Sequence, residues 1–189
     1  MNKVLYLKCI TGGLDSNINS ILGVYGLVSV NGKVVDIIDV DIKENESLIT
    51  DDKALQVNGL TRDMISSKTR DSEKLAMDKI KNTLLKYIDV TNVSDRFVIV
   101  ECSNIHSNFL KELFRRCNGK YTNYFTIQSV DILCQALVSD MLGKTTYGAY
   151  NLNHICEVED IYLSNKDVIA CLYAIRVISK KLFKSLYVF

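Results

Sequence analysis

A chain of 189 residues, 48% hydrophobic and 24% charged, carries enough apolar content for one domain with a full core. Lys and Arg number 23 against 22 for Asp and Glu, so a net charge of +1 exerts no general pull on a polyanion or an anionic membrane, and contact with nucleic acid needs a local basic patch. No apolar run approaches the roughly 18 residues of a membrane span, and no signal-peptide pattern opens the chain, which points to a cytoplasmic or nuclear protein.

Six cysteines are scattered singly among apolar neighbours without a C-x-x-C pair, the pattern of buried reduced thiols rather than a disulfide framework. The absence of proline beside abundant Lys, Asn and Ile suggests an AT-rich source genome, as in some large DNA viruses, phages and low-GC bacteria.

In chain order, "KVLYLKCI" (residues 3–10) reads as a buried central strand. "ILGVYGLVSV" and "KVVDIIDVDI" flank Asn31-Gly32, which predicts a hairpin with a type I′ turn because both residues tolerate positive φ. "ALQVNGLTRDMI" reads as one or two short helical turns broken at Asn58-Gly59, with Thr61 as a cap. Met77, Ile80, Leu84, Leu85 and Ile88 recur at helical spacing after Asp71 and Ser72.

"RFVIVE" (96–101) returns to strand; Ile105 to Cys117 form a helix ending at Asn118-Gly119; "YFTIQ" from Tyr124 is a fifth strand. Helices follow at about 131–141, 151–158 and 165–183, and the apolar end "SLYVF" is expected to pack on the core or meet a partner. The order of antiparallel strands first and β/α units second predicts a five-stranded α/β sheet in spatial order 3-2-1-4-5, with strand two antiparallel to the rest.

Several motifs carry a more specific signal. "KCITGGLD" from Lys8, "ALQVNGLTRDMI", "VIVECSNIHSNFL", "IQSVDILCQAL" and "YNLNHICEVEDIYLSNKDVIACLYAIRVISKKL" together span almost the whole chain. In this order they resemble the DnaQ-like 3′-5′ exonucleases of the DEDD group, within the ribonuclease-H-like fold. The resemblance implies that strand one carries Asp-x-Glu where this chain has Lys8 and Ile10. A further Asp falls at His106 and the last at Ala170, while the catalytic His falls at Asn165 and the motif Asn at Cys102. Asp131 keeps the family's Asp.

Two-metal phosphodiester hydrolysis needs carboxylates around a pair of divalent ions and a base for water. With Lys8, Ile10, His106 and Ala170 in the acid positions and Asn165 in place of the base, the resemblance implies a degenerate site with no metal cofactor. Asp15, Glu101, Asp131 and Asp167 are the acids nearest those positions in sequence. Each also has an ordinary role, as loop, strand-end, helix-cap and first-turn residue respectively, and Asp167 is placed on one helix face with Ala170.

Cys9, Cys102 and His106 invite a zinc or nucleophile reading, but no ligand spacing accompanies them and Cys9 points away from residues 8 and 10. Lys111, Arg115, Arg116 and Lys120 form a modest basic cluster, and Arg176, Lys180, Lys181 and Lys184 a second; solvated helix faces are the ordinary explanation of both.

Three readings follow, ordered by how little each requires. The first is an inactive exonuclease homologue serving as a structural or protein-interaction module in a replication, repair or transcription complex. In the second, the ancestral cleft binds DNA or RNA without hydrolysis, with Lys8 on phosphate and the Lys111 to Lys120 cluster extending the track. The third is an active exonuclease with relocated ligands. Under the first, Lys8 is expected to pair internally with an acid such as Glu101 or Asp167.

Overall fold

A computed structural model describes residues 2–163 and 167–187, with side chains as far as Lys184. Five strands, β1 (Lys3–Thr11), β2 (Ile21–Val30), β3 (Lys33–Asp41), β4 (Phe97–Glu101) and β5 (Phe125–Asp131), form one sheet in the order β3-β2-β1-β4-β5. β1 pairs antiparallel with β2 and parallel with β4, β2 pairs antiparallel with β3, and β4 pairs parallel with β5, so β2 alone runs against the rest. This is the expected ribonuclease-H-like arrangement.

β1 occupies the centre because its residues suit burial on both faces. Leu5, Leu7 and Cys9 enter one core with α3 (Glu73–Leu85) and α4 (Ile105–Arg116). Tyr6 enters a second core with α5 (Ile132–Met141), α6 (Leu152–Val158) and α7 (Val168–Tyr187). A third, smaller cluster of Leu22, Leu55 and Ile65 joins β2 to α1 (Asp52–Asn58) and α2 (Arg62–Ser66).

The local signals act as the residues suggest. Asn31 and Gly32 take φ of 51° and 80°, which turns β2 into β3 with the twist that flanking strands require. Gly59 ends α1 in the left-handed region, and the hydroxyls of Thr61 and Ser72 accept the first-turn N–H groups of Met64 and Leu75.

Three details depart from the expectations. β5 extends to Asp131 through an irregularity, since Phe97 is level with Phe125 but Ile99 with Ser129. A short 3-10 turn at Tyr121–Asn123, unread in the sequence, sets Tyr121 edge-on to Phe114 and tilted against Phe125. α7 begins at Val168, and Asp167, placed beforehand on a helix face, instead accepts the N–H groups of Ile169 and Ala170 and so caps the helix. The apolar ending 185–189 lies outside the described side chains. Among the described residues no helix is long and apolar enough to cross a membrane.

Phe114 is fully buried and meets Tyr121, Tyr124 and Phe125, so Phe114→Ala is expected to cost about 3–5 kcal/mol. Ile127, two-thirds exposed on β5, should tolerate Ala within about 0.5 kcal/mol. Urea denaturation of the two variants checks both values.

Candidate functional site

The carboxyl end of β1, the loop that follows it, α1 and the first turn of α4 enclose a cleft of about 810 Å³. Alternation along β1 sends Lys8 and Ile10 to the face opposite Cys9. Lys8 lines the cleft, half-buried, and among the described residues it has no ion-pair partner. Ile10 leans on the Leu22, Leu55 and Ile65 cluster. His106 also lines the cleft from the first turn of α4, and its Nδ1 accepts the backbone N–H of Cys9 at 3.2 Å.

That bond belongs to an imidazole kept neutral. Burial, reinforced by the positive charge of Lys8, holds His106 down at about 4, against weaker opposition from Asp131 and the Cys102 carbonyl. Cys9 lies beneath, its thiol directed at the His106 carbonyl at 3.5 Å, and burial beside Glu101 keeps that thiol protonated. Cys102 packs on the other core, its thiol pushed up to about 12 by burial, so the two cysteines lie on opposite sides of the sheet. The imagined Cys9, Cys102 and His106 constellation is therefore not assembled.

The acids singled out from the sequence take part in the fold, while Asp51 borders the cleft at the start of α1 without a side-chain cap bond. Glu101 is level with Leu7 in the parallel pairing and so lies on the face away from Lys8; it is fully buried and accepts the Ser107 N–H at 2.8 Å. Burial raises its pKa, partly offset by hydrogen bonds from Ser107 and Ser129. Asp131 caps α5 through the Leu133 N–H and also accepts from the Ser103 N–H. Asp15 borders the cleft but gives one oxygen to the backbone and side chain of Asn17.

The expected internal pairing of Lys8 with Glu101 or Asp167 is thus overturned, because sheet parity removes the first and helix capping engages the second. Ala170 lies in the first turn of α7, and Asn165 lies outside the described residues.

Taken as a donor set, an ammonium, an alkyl chain, a methyl and an imidazole with one nitrogen engaged do not fit a pair of divalent ions. Among the described residues no group of three or more His, Cys, Asp or Glu side chains is placed to hold a metal.

The cleft wall has features that reading the chemistry positions alone missed. Leu14 and Val57 stand 80% and 79% exposed at its rim, and Lys53 adds a second cation beside Asp51. Asn58 ties α1 to the end of β1 through the Thr11 carbonyl at 3.2 Å. Asn19 holds the loop by accepting the Asp15 N–H and donating to the Ile49 carbonyl. A side chain at Gly13 would place its Cβ 2.4 Å from the Asn19 amide, so the loop closes only with glycine there. The signal was available in "ITGGLD" and "ALQVNG", which supply both walls.

The first basic cluster does not extend the cleft. Arg115 and Arg116 lie at the far end of α4 from His106, on the order of 14 Å away at 1.5 Å per residue. Arg115 pairs with Glu112, and Arg116 grips both oxygens of Glu73. Lys111 lies 5.7 Å over the Tyr121 ring, and Lys120 is exposed. Arg115 and Arg116 are thus paired within the fold, while Lys120 has no ion pair among the described residues.

No family model matches the sequence, and a search of curated proteins returns no relative. Solved structures do match. E. coli exonuclease I in complex with a dT13 oligonucleotide superposes with a TM-score of 0.77 at 16% identity, covering 99% of this chain and 44% of that one. Product-bound exonuclease I gives 0.77 at 15%, covering 99% and 46%, and the ExoI/SSB-Ct complex gives 0.77 at 15%, covering 99% and 43%. The fold is therefore that of an exonuclease-like, ribonuclease-H-like protein, and the chain spans less than half the length of these neighbours.

The His106 environment has a testable pH signature. A folded-state pKa of about 4, below the ordinary 6.5, contributes stability that is complete above pH 6.5 and lost as pH falls toward 4. His106→Asn keeps an acceptor for the Cys9 N–H but does not titrate, so its urea midpoint should fall less than the wild type's between pH 6.5 and 4. Parallel profiles would contradict this assignment.

Proposed function

We propose that this protein is a hydrolytically inactive nuclease relative that grips a nucleic-acid strand in its cleft, within a complex that handles nucleic acid. The observation that carries this reading is Lys8: an ammonium open to an 810 Å³ cleft, with no ion pair among the described residues, in a lining that also holds Asp15, Asp51 and Lys53. The scaffold reading, ranked first from sequence, called for Lys8 to be paired inside the fold; without such a pair, its charge is available to an external anion.

The remaining walls suit a strand. Lys8 and Lys53 offer cations for phosphate, while Leu14 and Val57 present apolar surface to the faces of bases. The DNA-bound structural neighbour supports a strand in a cleft of this fold. Inactivity rests on the donor set: four positions that the resemblance makes acidic hold Lys8, Ile10, His106 and Ala170, and the base position holds Asn165. Lys8 there repels a divalent ion.

Two measurements test the proposal. Purified protein with magnesium or manganese should trim neither labelled DNA nor RNA, and metal-dependent 3′ trimming by the wild type would restore the active reading. Affinity for dT12, measured by anisotropy, should fall steeply with salt. Lys8→Glu should weaken it by on the order of 1–2 kcal/mol without moving the melting temperature. A wild type that does not bind dT12 would return preference to the protein-interaction reading.

A further inference from the structure

At the opposite end of β1 from the cleft, the described residues cover one face of the sheet only in part. Parallel strands in α/β proteins are ordinarily covered on both faces. Here α5, α6 and α7 cover only part of that side, leaving a groove of about 800 Å³. Its floor is Val4 of β1, Val98 and Val100 of β4 and Val130 of β5, three of them half-buried rather than sealed. One long wall is the C-terminal half of α7.

The charge along that wall has one sign. Arg176, Lys180 and Lys184 follow at four-residue steps, so they form a stripe along α7 about 12 Å long at 1.5 Å per residue. Arg176 gives one nitrogen to the Gly32 carbonyl at the groove edge, while its Nε is buried without a partner. Lys180 and Lys184 line the groove, exposed, with no ion pair among the described residues; Lys181 is already paired with Glu159. Among the described residues no acidic side chain lines the groove.

We propose that this groove docks an acidic, amphipathic segment of a protein partner, with aliphatic side chains on the valine floor and carboxylates along the α7 stripe. The floor decides between partner classes. Single strands are held without sequence preference on platforms of several aromatic rings, whereas this floor offers the half-buried aliphatic surface of Val4, Val98 and Val130; of the two rings in the lining, Tyr6 is buried in the core and Phe183 is a single ring on the α7 wall. A second copy of this chain would bring the same lysines to an isologous contact, where like charges repel. An apolar floor with a basic rim matches a segment with the reverse charge and the same apolar face.

The test uses a fluorescein-labelled 14-residue peptide with Glu on one face and Leu and Val on the other, its counterpart with Lys for every Glu, and dT12. By anisotropy, the acidic peptide should bind at least tenfold tighter than the basic one, and more weakly as salt rises. The double variant Lys180→Glu, Lys184→Glu, surface changes that should leave the melting temperature intact, should lose tenfold or more. Lys8→Glu should change nothing, which separates this surface from the cleft.

Equal binding of the two peptides, no binding of either, or undiminished binding in the double variant would overturn the proposal. So would dT12 displacing the peptide and itself losing affinity in the double variant, which would assign the stripe to nucleic acid. Self-association abolished by the same variant would assign the groove to a second copy.

Discussion

Everything in this molecule hangs on the two-residue alternation of β1. Held between β2 and β4, the strand cannot slip by one residue without turning Leu5, Leu7 and Cys9 out of one core and Tyr6 out of the other. The same parity carries Lys8 and Ile10 to the α7 side of the sheet, and Lys8 into the cleft. In the parallel partner it carries Glu101 to the side of Leu7, which keeps the nearest buried carboxylate away from the nearest free ammonium. One geometric rule thus fills both cores and leaves a cation without an internal partner.

The charged residues around the cleft divide by what they do for the backbone. Asp131 and Asp167 satisfy N–H groups at the starts of helices, where the helix dipole favours an anion, and Glu101 does the same for Ser107 from inside the core. Arg116 is held by Glu73 and also reaches the Ser16 carbonyl, linking α4 to α3 and to the loop after β1. Removing any of these strands a polar group that folding has taken from water. Lys8, Lys180 and Lys184 differ because they have no ion pair among the described residues, and they border two concavities at opposite ends of β1.

The neutrality of His106 follows from the same arrangement. An imidazole beside an unpaired ammonium, in a half-buried turn and accepting a backbone N–H, has every reason to stay unprotonated. His106 therefore adds no charge to that of Lys8 beside it.

Much of the fold was legible in the chain because its signals are local. Asn31-Gly32 sets a turn through φ alone, Thr61 and Ser72 cap through bonds three residues long, and strand and helix periods show directly in the apolar pattern. The strand order followed from those elements and the resemblance. The positions of Lys8, Ile10 and His106 at one end of the sheet followed from the motifs.

Sequence could not assign partners to charges, because a salt bridge depends on which side chains meet across tens of residues. Arg116 meets Glu73 only when α4 packs beside α3, and Lys8 misses Glu101 only through the register of β1 on β4. The open valine floor was equally invisible: Val4, Val98 and Val130 read as core residues in any strand. Only the reach of α7 across the sheet decides that they face a groove. By itself the sequence determined which elements form and which face of each is apolar, since those depend on neighbours a few residues away. Tertiary structure decided which charges are spent and which remain open, since burial and ion pairing are properties of surfaces brought together.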